Sequence, residues 1–344
     1  MKDSKGTSME MGKLFAEVKK SIEKEGIKGW KLVQETIFKK QTDSEALKEV
    51  FDYAMFRYQP DYFRSALLSF CCRAVGGDPQ PTIPVGAALT FFAWAIGIHD
   101  DIIDQSTTKN KLPTIYGKFG KDLSLIFSDI LFFKGFTLFR RTLGSRISIY
   151  RIRKILEIIE EVWFDQSIGE VAELEARGST EITPDECLRK IHLRAAEFEA
   201  CTRIGGILGG GSERQVENLG AYGRMIGIMS ILRNEIVDML ELHVLKHRLR
   251  RESLPLPLLH ALKNPKLKSQ LVKLITSSRL TKKELQEISK LSDRSGGIEY
   301  TALLTHKMGR KALALAKKLD FKELEIIAAS LPLHPKEWKP LLSD

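Results

Sequence analysis

The sequence predicts an all-α protein, and three observations carry that prediction. Segments such as MGKLFAEVKKSIEKEG, SEALKEVFDYAMF, RIRKILEIIEEVW and KALALAKKL place apolar residues three and four apart with charges between them. No run of alternating strand residues occurs, and no hairpin turn of the Asn-Gly type. No low-complexity linker or repeat divides the 344 residues, so one large helical domain is expected over 1–344, with 1–40 as an N-terminal helical extension.

Taken in order, the start of the chain, MKDSKGTSMEMGK, lacks the apolar core of a signal peptide. FRSALLSFCCRAVGGD (63–78) carries adjacent Cys71 and Cys72 in an apolar run. With Cys187 and Cys201 they form no CxxC pair, which reads as buried thiols in a reducing, cytoplasmic setting without structural zinc. Pro81 and Pro84 precede a long apolar helix, as prolines do at helix starts. Its apolar stretch, VGAALTFFAWAIGI (85–98), is too short to span a bilayer. IGGILGGGSE (204–213) lacks the lysine and the preceding strand of a phosphate loop, so it reads as a helix end or a close helix contact.

The net charge of +10 points to an anionic partner: a phosphorylated ligand, a membrane surface or nucleic acid. The basic runs KHRLRRE (246–252) and RRTLGSRISIYRIRK (140–154) lack a recognition motif and aromatic interleaving, which argues against nucleic acid. Arg251 aside, they read as solvated helix faces, with peripheral contact to anionic lipid as their one further use.

The apolar helix ends in HDDIIDQSTTKNKLPT (99–114), where Asp100, Asp101 and Asp104 share one helix face. Alone they would repel one another. A hard divalent cation such as Mg²⁺ resolves that repulsion, because it takes oxygen ligands and shares its remaining positions with water and phosphates. The bland alternative is a solvated acidic helix end with Lys109 and Lys111 as its partners. His99 beside the cluster is expected to make a structural hydrogen bond rather than to ligate metal. A second group, Asn234, Glu235 and Asp238 in NEIVD, repeats the spacing after another apolar helix, MIGIMSIL. Two such helices opposed in a bundle would hold a metal cluster.

These paired motifs resemble those of the trans-isoprenyl diphosphate synthases, the all-helical polyprenyl synthetase family. The likeness extends to FRSALLSFCCRAVGGD, to the basic residues and Pro-Thr after the first motif, to SDILFF (128–133) and to RESLPLPLLHAL (251–262). It covers about residues 40–320 in the right order. It implies a single helical bundle of the isoprenoid synthase type around a central prenyl pocket, three Mg²⁺ ions, and ionisation of an allylic prenyl diphosphate with release of pyrophosphate. Asp100, Asp101 and Asp104 would bind two of the metals, and Asn234 with Asp238 the third. Lys109, Arg194 and Arg251 would grip the allylic diphosphate. Family members are usually dimers, so a homodimer or a pairing with a related synthase is implied.

The acceptor half departs from the family. Its Gly-Gly-Lys-Arg-x-Arg run reads QPDYFR, with Asp61 at the lysine position and only Arg64 retained. Its histidine position is Ala93 and the second arginine of its basic pair is Asn110. One reversed charge of this kind costs roughly a few kcal/mol at a partly shielded pair distance. Three readings follow, in this order. The first is an enzyme that ionises the diphosphate and then cyclises, eliminates or uses another acceptor, as a terpene synthase does. The second is a chain-elongating synthase that binds isopentenyl diphosphate through Arg64, Lys111 and Arg57. The third is a non-catalytic regulatory subunit. The positions that limit chain length in the family are Ala95 and Ile96 here, with Phe92 one turn deeper as the floor, which implies a donor of fifteen carbons or more.

Overall fold

Helical spacing becomes helix in the computed structural model, which describes residues 3–38, 42–142 and 147–333. The elements are α1 (Asp3–Ile37), α2 (Glu45–Arg57), α3 (Tyr62–Ala74), α4 (Thr82–Ile103), β1 (Thr108–Lys109), β2 (Leu112–Pro113), α5 (Ile115–Thr142) and α6 (Ile149–Glu175). They continue with α7 (Pro184–Arg194), α8 (Ala196–Gly209), α9 (Glu213–Leu240), α10 (Leu242–Arg251), α11 (Leu256–Leu262), α12 (Pro265–Ile275), α13 (Lys282–Arg294), α14 (Gly297–Leu319) and α15 (Lys322–Ser330). The all-α prediction holds. Residues 1, 2, 39 and 40 of the N-terminal extension, and 143–146 of the basic run at 140–154, lie outside the described residues.

Among the described residues, strand occurs only where the sequence showed no hairpin. Strands β1 and β2 pair antiparallel, Thr108 opposite Pro113 and Lys109 opposite Leu112. The two-residue loop between them is Asn110-Lys111, both left-handed at φ 53° and 63°. A two-residue hairpin needs that conformation, and Asn-Gly is its usual carrier. Here lysine stands where glycine is usual, so the residue pattern concealed the turn.

Two compact units, each built from separated stretches of chain, make up the structure. The first comprises Met1–Ile158, Cys201–Leu219 and Leu319–Ile326. Its centre is α4, whose Phe91, Ala95 and Ile98 are fully buried. The helix is longer than its apolar sequence stretch, and by length and composition alone it could cross a membrane; most of its apolar part is buried in the fold, as in a core helix. Trp94 stacks on Tyr58 at 4.4 Å and meets Trp30 of α1 edge-on at 5.8 Å. The glycine-rich stretch is both things the sequence allowed. A Cβ on Gly205 would lie 2.6 Å from the Leu68 carbonyl oxygen of α3, and Gly210 ends α8 at φ 80°.

The second unit comprises Ile159–Ala200, Gly220–Lys318 and Ile327–Asp344. Its core gathers Ile191, Leu232, Met239, Leu245, Leu258 and Ile288. Capping boxes start two of its helices, Thr183 with Glu186 at α7 and Thr281 with Glu284 at α13, each satisfying backbone donors that the first turn leaves open. All four cysteines of the chain are free thiols buried in these cores.

Candidate active site

The first acidic motif forms the end of α4. Asp104 closes the helix, its N–H donating to the Asp100 carbonyl at 2.9 Å, and Gln105 turns the chain at φ 55°. A helix C-terminus already carries partial negative charge, and the last turn of α4 has no basic residue. Three carboxylates there need a cation from elsewhere. Lys109 supplies it, with Nζ 3.2 Å from Asp100 Oδ2 and 2.8 Å from Asp101 Oδ1. The Asp101 side chain is 9% exposed and that of Lys109 44%; Asp104 is buried.

The hairpin is what brings Lys109 back over the aspartates. Tyr53 Oη donates to the Pro113 carbonyl at 2.7 Å, and Arg57 donates to the same oxygen at 3.0 Å and to the Lys109 carbonyl at 3.2 Å. Thr114 Oγ1 donates to the Ser106 carbonyl at 2.7 Å and accepts the Gly117 N–H at the start of α5. Arg57, expected as a replacement acceptor cation, is therefore a strut of the hairpin. Burial pushes the Asp101 carboxyl above its usual range against the pull of Lys109. Burial also works against the Lys109 charge, but Asp100 and Asp101 outweigh it and hold the amine above the ordinary lysine range. His99 makes its structural hydrogen bond, Nε2 to Ser128 Oγ at 2.7 Å, with its ring against Phe132.

Around this cluster, Ala95 is fully buried and Ile96 half-buried. Phe92 packs on Phe132 and Phe136 of α5 at 6.1 and 5.0 Å between ring centroids. Gly135 makes room for it, because a Cβ there would lie 2.4 Å from the Phe92 ring. At the acceptor positions, Asp61 has a local role that the sequence did not reveal. It caps α3 by accepting the Arg64 N–H at 3.4 Å, and its other oxygen is ion-paired with Arg64 Nη1. The retained arginine is thus already bound to the residue that replaced the lysine. Lys111 stands exposed at the hairpin tip.

The second motif lies at the end of α9, in the second unit, and its carboxylates are committed. Asn234 is exposed, while Glu235 is buried. Arg248 Nη1 donates to Glu235 Oε1 at 2.7 Å and to Asp238 Oδ2 at 2.8 Å. Glu235 Oε2 accepts the Leu256 N–H at 2.6 Å. Behind it, Glu173 accepts the Ser253 N–H and a bond from Lys190 Nζ, both at 2.7 Å. Arg194 is half-buried on α7 beside Gly169 of α6. Arg251 is exposed at the end of α10, lining a shallow basic cleft with His243, Lys246, His247 and Arg250. The sequence reading missed Arg248, Glu173 and Lys190; a buried arginine inside a basic run has no spacing that marks it.

Comparison with known proteins fits this frame. The chain belongs to the polyprenyl synthetase family, whose model matches residues 44–291. It is 25% identical over 177 residues to the geranylgeranyl diphosphate synthase of Methanosarcina mazei, a match covering 51% of this chain and 54% of that protein. It is 26% identical over 267 residues to the octaprenyl diphosphate synthase of Escherichia coli, covering 74% of this chain and 79% of that one. The solved geranylgeranyl pyrophosphate synthetase of Pyrococcus horikoshii superposes with a TM-score of 0.78 at 21% identity, over 93% of this chain and 99% of that one. A polyprenyl synthase from Caulobacter crescentus, solved with calcium and isoprenyl diphosphate, superposes with a TM-score of 0.75 at 20% identity, over 91% of this chain and 96% of that one. The fold is the all-α isoprenoid synthase fold.

A divalent cation suits the two motifs unequally. The first offers two hard carboxylates, Asp100 and Asp101, side by side at one helix end under a half-exposed lysine. That donor pair suits Mg²⁺ with phosphate and water completing its shell, although no three metal-ligating side chains converge among the described residues. The second offers an exposed neutral amide and carboxylates already hydrogen-bonded to a buried guanidinium, which does not fit.

Proposed function

We propose that this protein is a Mg²⁺-dependent prenyltransferase that elongates an allylic diphosphate of fifteen carbons or more with isopentenyl diphosphate. The observation that carries the reading is the Asp100–Asp101–Asp104 cluster with Lys109 poised on it, in a chain whose relatives over most of its length are named as prenyl diphosphate synthases. Magnesium bound there would neutralise the charge that develops on the departing diphosphate. Lys109 exchanges its aspartate partners for phosphate oxygens and keeps the donor's head group at the end of α4. The apolar face of α4, with Ala95 small and Phe92 deeper, shields the prenyl chain from water. Arg64 and Lys111 are the cations offered to the acceptor. A second copy of the chain, or a related synthase, is the proposed partner; exposed Ile126, Phe133 and Phe136 on α5 support it.

A second reading is favoured by one observation, the Asp61–Arg64 ion pair, which blunts the acceptor cation. On that reading the allylic diphosphate is ionised and resolved without isopentenyl diphosphate. One assay separates the two. The full chain with Mg²⁺ receives allylic diphosphates of ten, fifteen and twenty carbons, with and without isopentenyl diphosphate. A longer diphosphate formed only with isopentenyl diphosphate is expected. Hydrocarbon or alcohol formed without it would establish the second reading. No pyrophosphate release under any of these conditions would reject both and point to a regulatory subunit. Asp100→Ala is expected to lower turnover at least about a thousandfold, as loss of a charge-stabilising group does.

A further inference from the structure

The segment joining α10 to α11 reads Glu252-Ser253-Leu254-Pro255 and leads into Leu256-Pro257. Its prolines offer no N–H, and no helix provides acceptors for those of Ser253 and Leu256, so buried carboxylates take that part. Glu173 receives the Ser253 N–H and Glu235 the Leu256 N–H. Two buried carboxylates in one place require cations. Lys190 balances Glu173, also donating to Ser253 Oγ at 2.7 Å. Arg248 balances Glu235, and its guanidinium reaches further, to Asp238 at 2.8 Å, to Glu252 Oε2 at 3.2 Å from Nε, and to the Ser253 carbonyl at 3.5 Å.

This arrangement uses up the second motif. Both oxygens of Glu235 are occupied, one oxygen of Asp238 is occupied, and Asn234 brings no charge. The Arg248 side chain is 6% exposed, so it has no low-cost route into water. A divalent cation at the remaining Asp238 oxygen would sit beside a buried positive charge with little water to screen it.

We infer that in this chain the Arg248 guanidinium takes the place of a metal ion at the second acidic motif, so that NEIVD anchors the 252–256 segment and binds no divalent cation. Metal binding then belongs to the first motif alone. The inference stands on the second unit's own geometry and does not depend on which prenyl reaction the protein performs.

The test counts bound Mn²⁺ per chain by electron paramagnetic resonance, using the full-length protein with inorganic pyrophosphate and no prenyl substrate. The count is therefore decided whether or not turnover is found. Asn234→Ala and Asp238→Asn should leave the number of bound ions unchanged and their affinity within about twofold. Asp100→Asn should lose at least one ion, or weaken binding at least about tenfold. Arg248→Gln should gain an ion, because it leaves Glu235 and Asp238 without a counter-charge. Loss of an ion, or a tenfold weaker affinity, in both Asn234→Ala and Asp238→Asn would overturn the inference. So would a folded Arg248→Gln protein that binds no additional Mn²⁺. Should Arg248→Gln not fold, the two α9 variants decide the matter, Asn234 being exposed and Asp238→Asn keeping its shape.

Discussion

The two acidic motifs meet the same electrostatic problem with opposite kinds of cation. At the first, a lysine arrives on a two-residue hairpin, stays 44% exposed, and touches Asp100 and Asp101 through one ammonium group. At the second, an arginine from the next helix is 6% exposed and spreads its guanidinium over Glu235, Asp238 and Glu252. An ammonium on a flexible stem exchanges partners easily, whereas a planar guanidinium held among several carboxylates fixes them. Similar acidic spacing therefore does two jobs in one chain. Exposure of the counter-ion decides which carboxylates remain available to a ligand.

The strongest way to break that contrast is to remove each cation. Arg248→Met should destabilise the protein by about 3–5 kcal/mol, because it strands buried carboxylates rather than merely losing a contact. Lys109→Met should cost about 1 kcal/mol or less, as partly exposed pairs do. Urea denaturation of the two variants checks this directly. Equal losses would mean that Lys109 is as structural as Arg248, and would remove the argument for the first motif as the open one.

Acid titration sharpens the contrast further, since Glu173, behind the second motif, and Asp101 of the first shift in opposite senses. Burial pushes the Glu173 carboxyl up, but Lys190 and the bonds from Lys190 and Ser253 outweigh it and bring it to about 2 from an ordinary 4.5. A lowered folded value stabilises above the unfolded value and is lost as pH falls through the folded one. On the order of 3 kcal/mol should thus disappear between about pH 5 and 2. Asp101 is shifted upward by burial, so its contribution has the other sign, present at low pH and lost as pH rises through its folded value. Wild type should lose on the order of 3 kcal/mol more than Glu173→Gln over the acid range, measured by urea melts at stepped pH.

At the acceptor end, the Asp61–Arg64 pair offers a smaller and more informative change. Asp61→Asn keeps a capping side chain and releases Arg64, so stability should move by about 0.5 kcal/mol or less. The KM for isopentenyl diphosphate should fall severalfold. Asp61→Lys adds the missing charge but gives up the cap, at about 1 kcal/mol. If neither variant lowers that KM, Arg64 is not an acceptor cation in this protein, and the second reading gains.

Much of this was legible in the residues, for identifiable reasons. Apolar spacing dictated helices, and the class followed. The aspartates at the end of an apolar helix were conspicuous because nothing in that helix needed them. His99 and the glycines at 205–210 were read correctly because an imidazole at the end of a buried helix needs a hydrogen-bond partner, and a glycine run permits both close approach and positive φ. What stayed hidden was relational. Asp61 looked like a damaged binding residue, and only its place before α3 shows it as an N-cap. Arg248 looked like one charge in a basic surface run, and only folding buries it against Glu235. The membrane argument from residues 85–98 was also too simple, since α4 runs five residues beyond that stretch at its far end, through Asp100 and Asp101.

The hairpin itself supplies the finest test, because it contains a residue chosen against its own conformational preference. Lys111 is held at φ 63° in the second position of a two-residue loop. A side chain with a Cβ is strained there, and glycine relieves that strain while loosening the unfolded chain. The first term wins where φ is positive, so Lys111→Gly should stabilise the protein by about 0.5–1 kcal/mol. A lysine kept at such a position in spite of that cost is explained if its charge is used. The same variant should then raise the KM for isopentenyl diphosphate while leaving Lys109 on its aspartates and the KM for the allylic donor unchanged. A gain in stability with both KM values unchanged would show Lys111 to be an ordinary turn residue, leaving Arg64 as the acceptor's one proposed cation and Lys109 as the hairpin's whole contribution to the site.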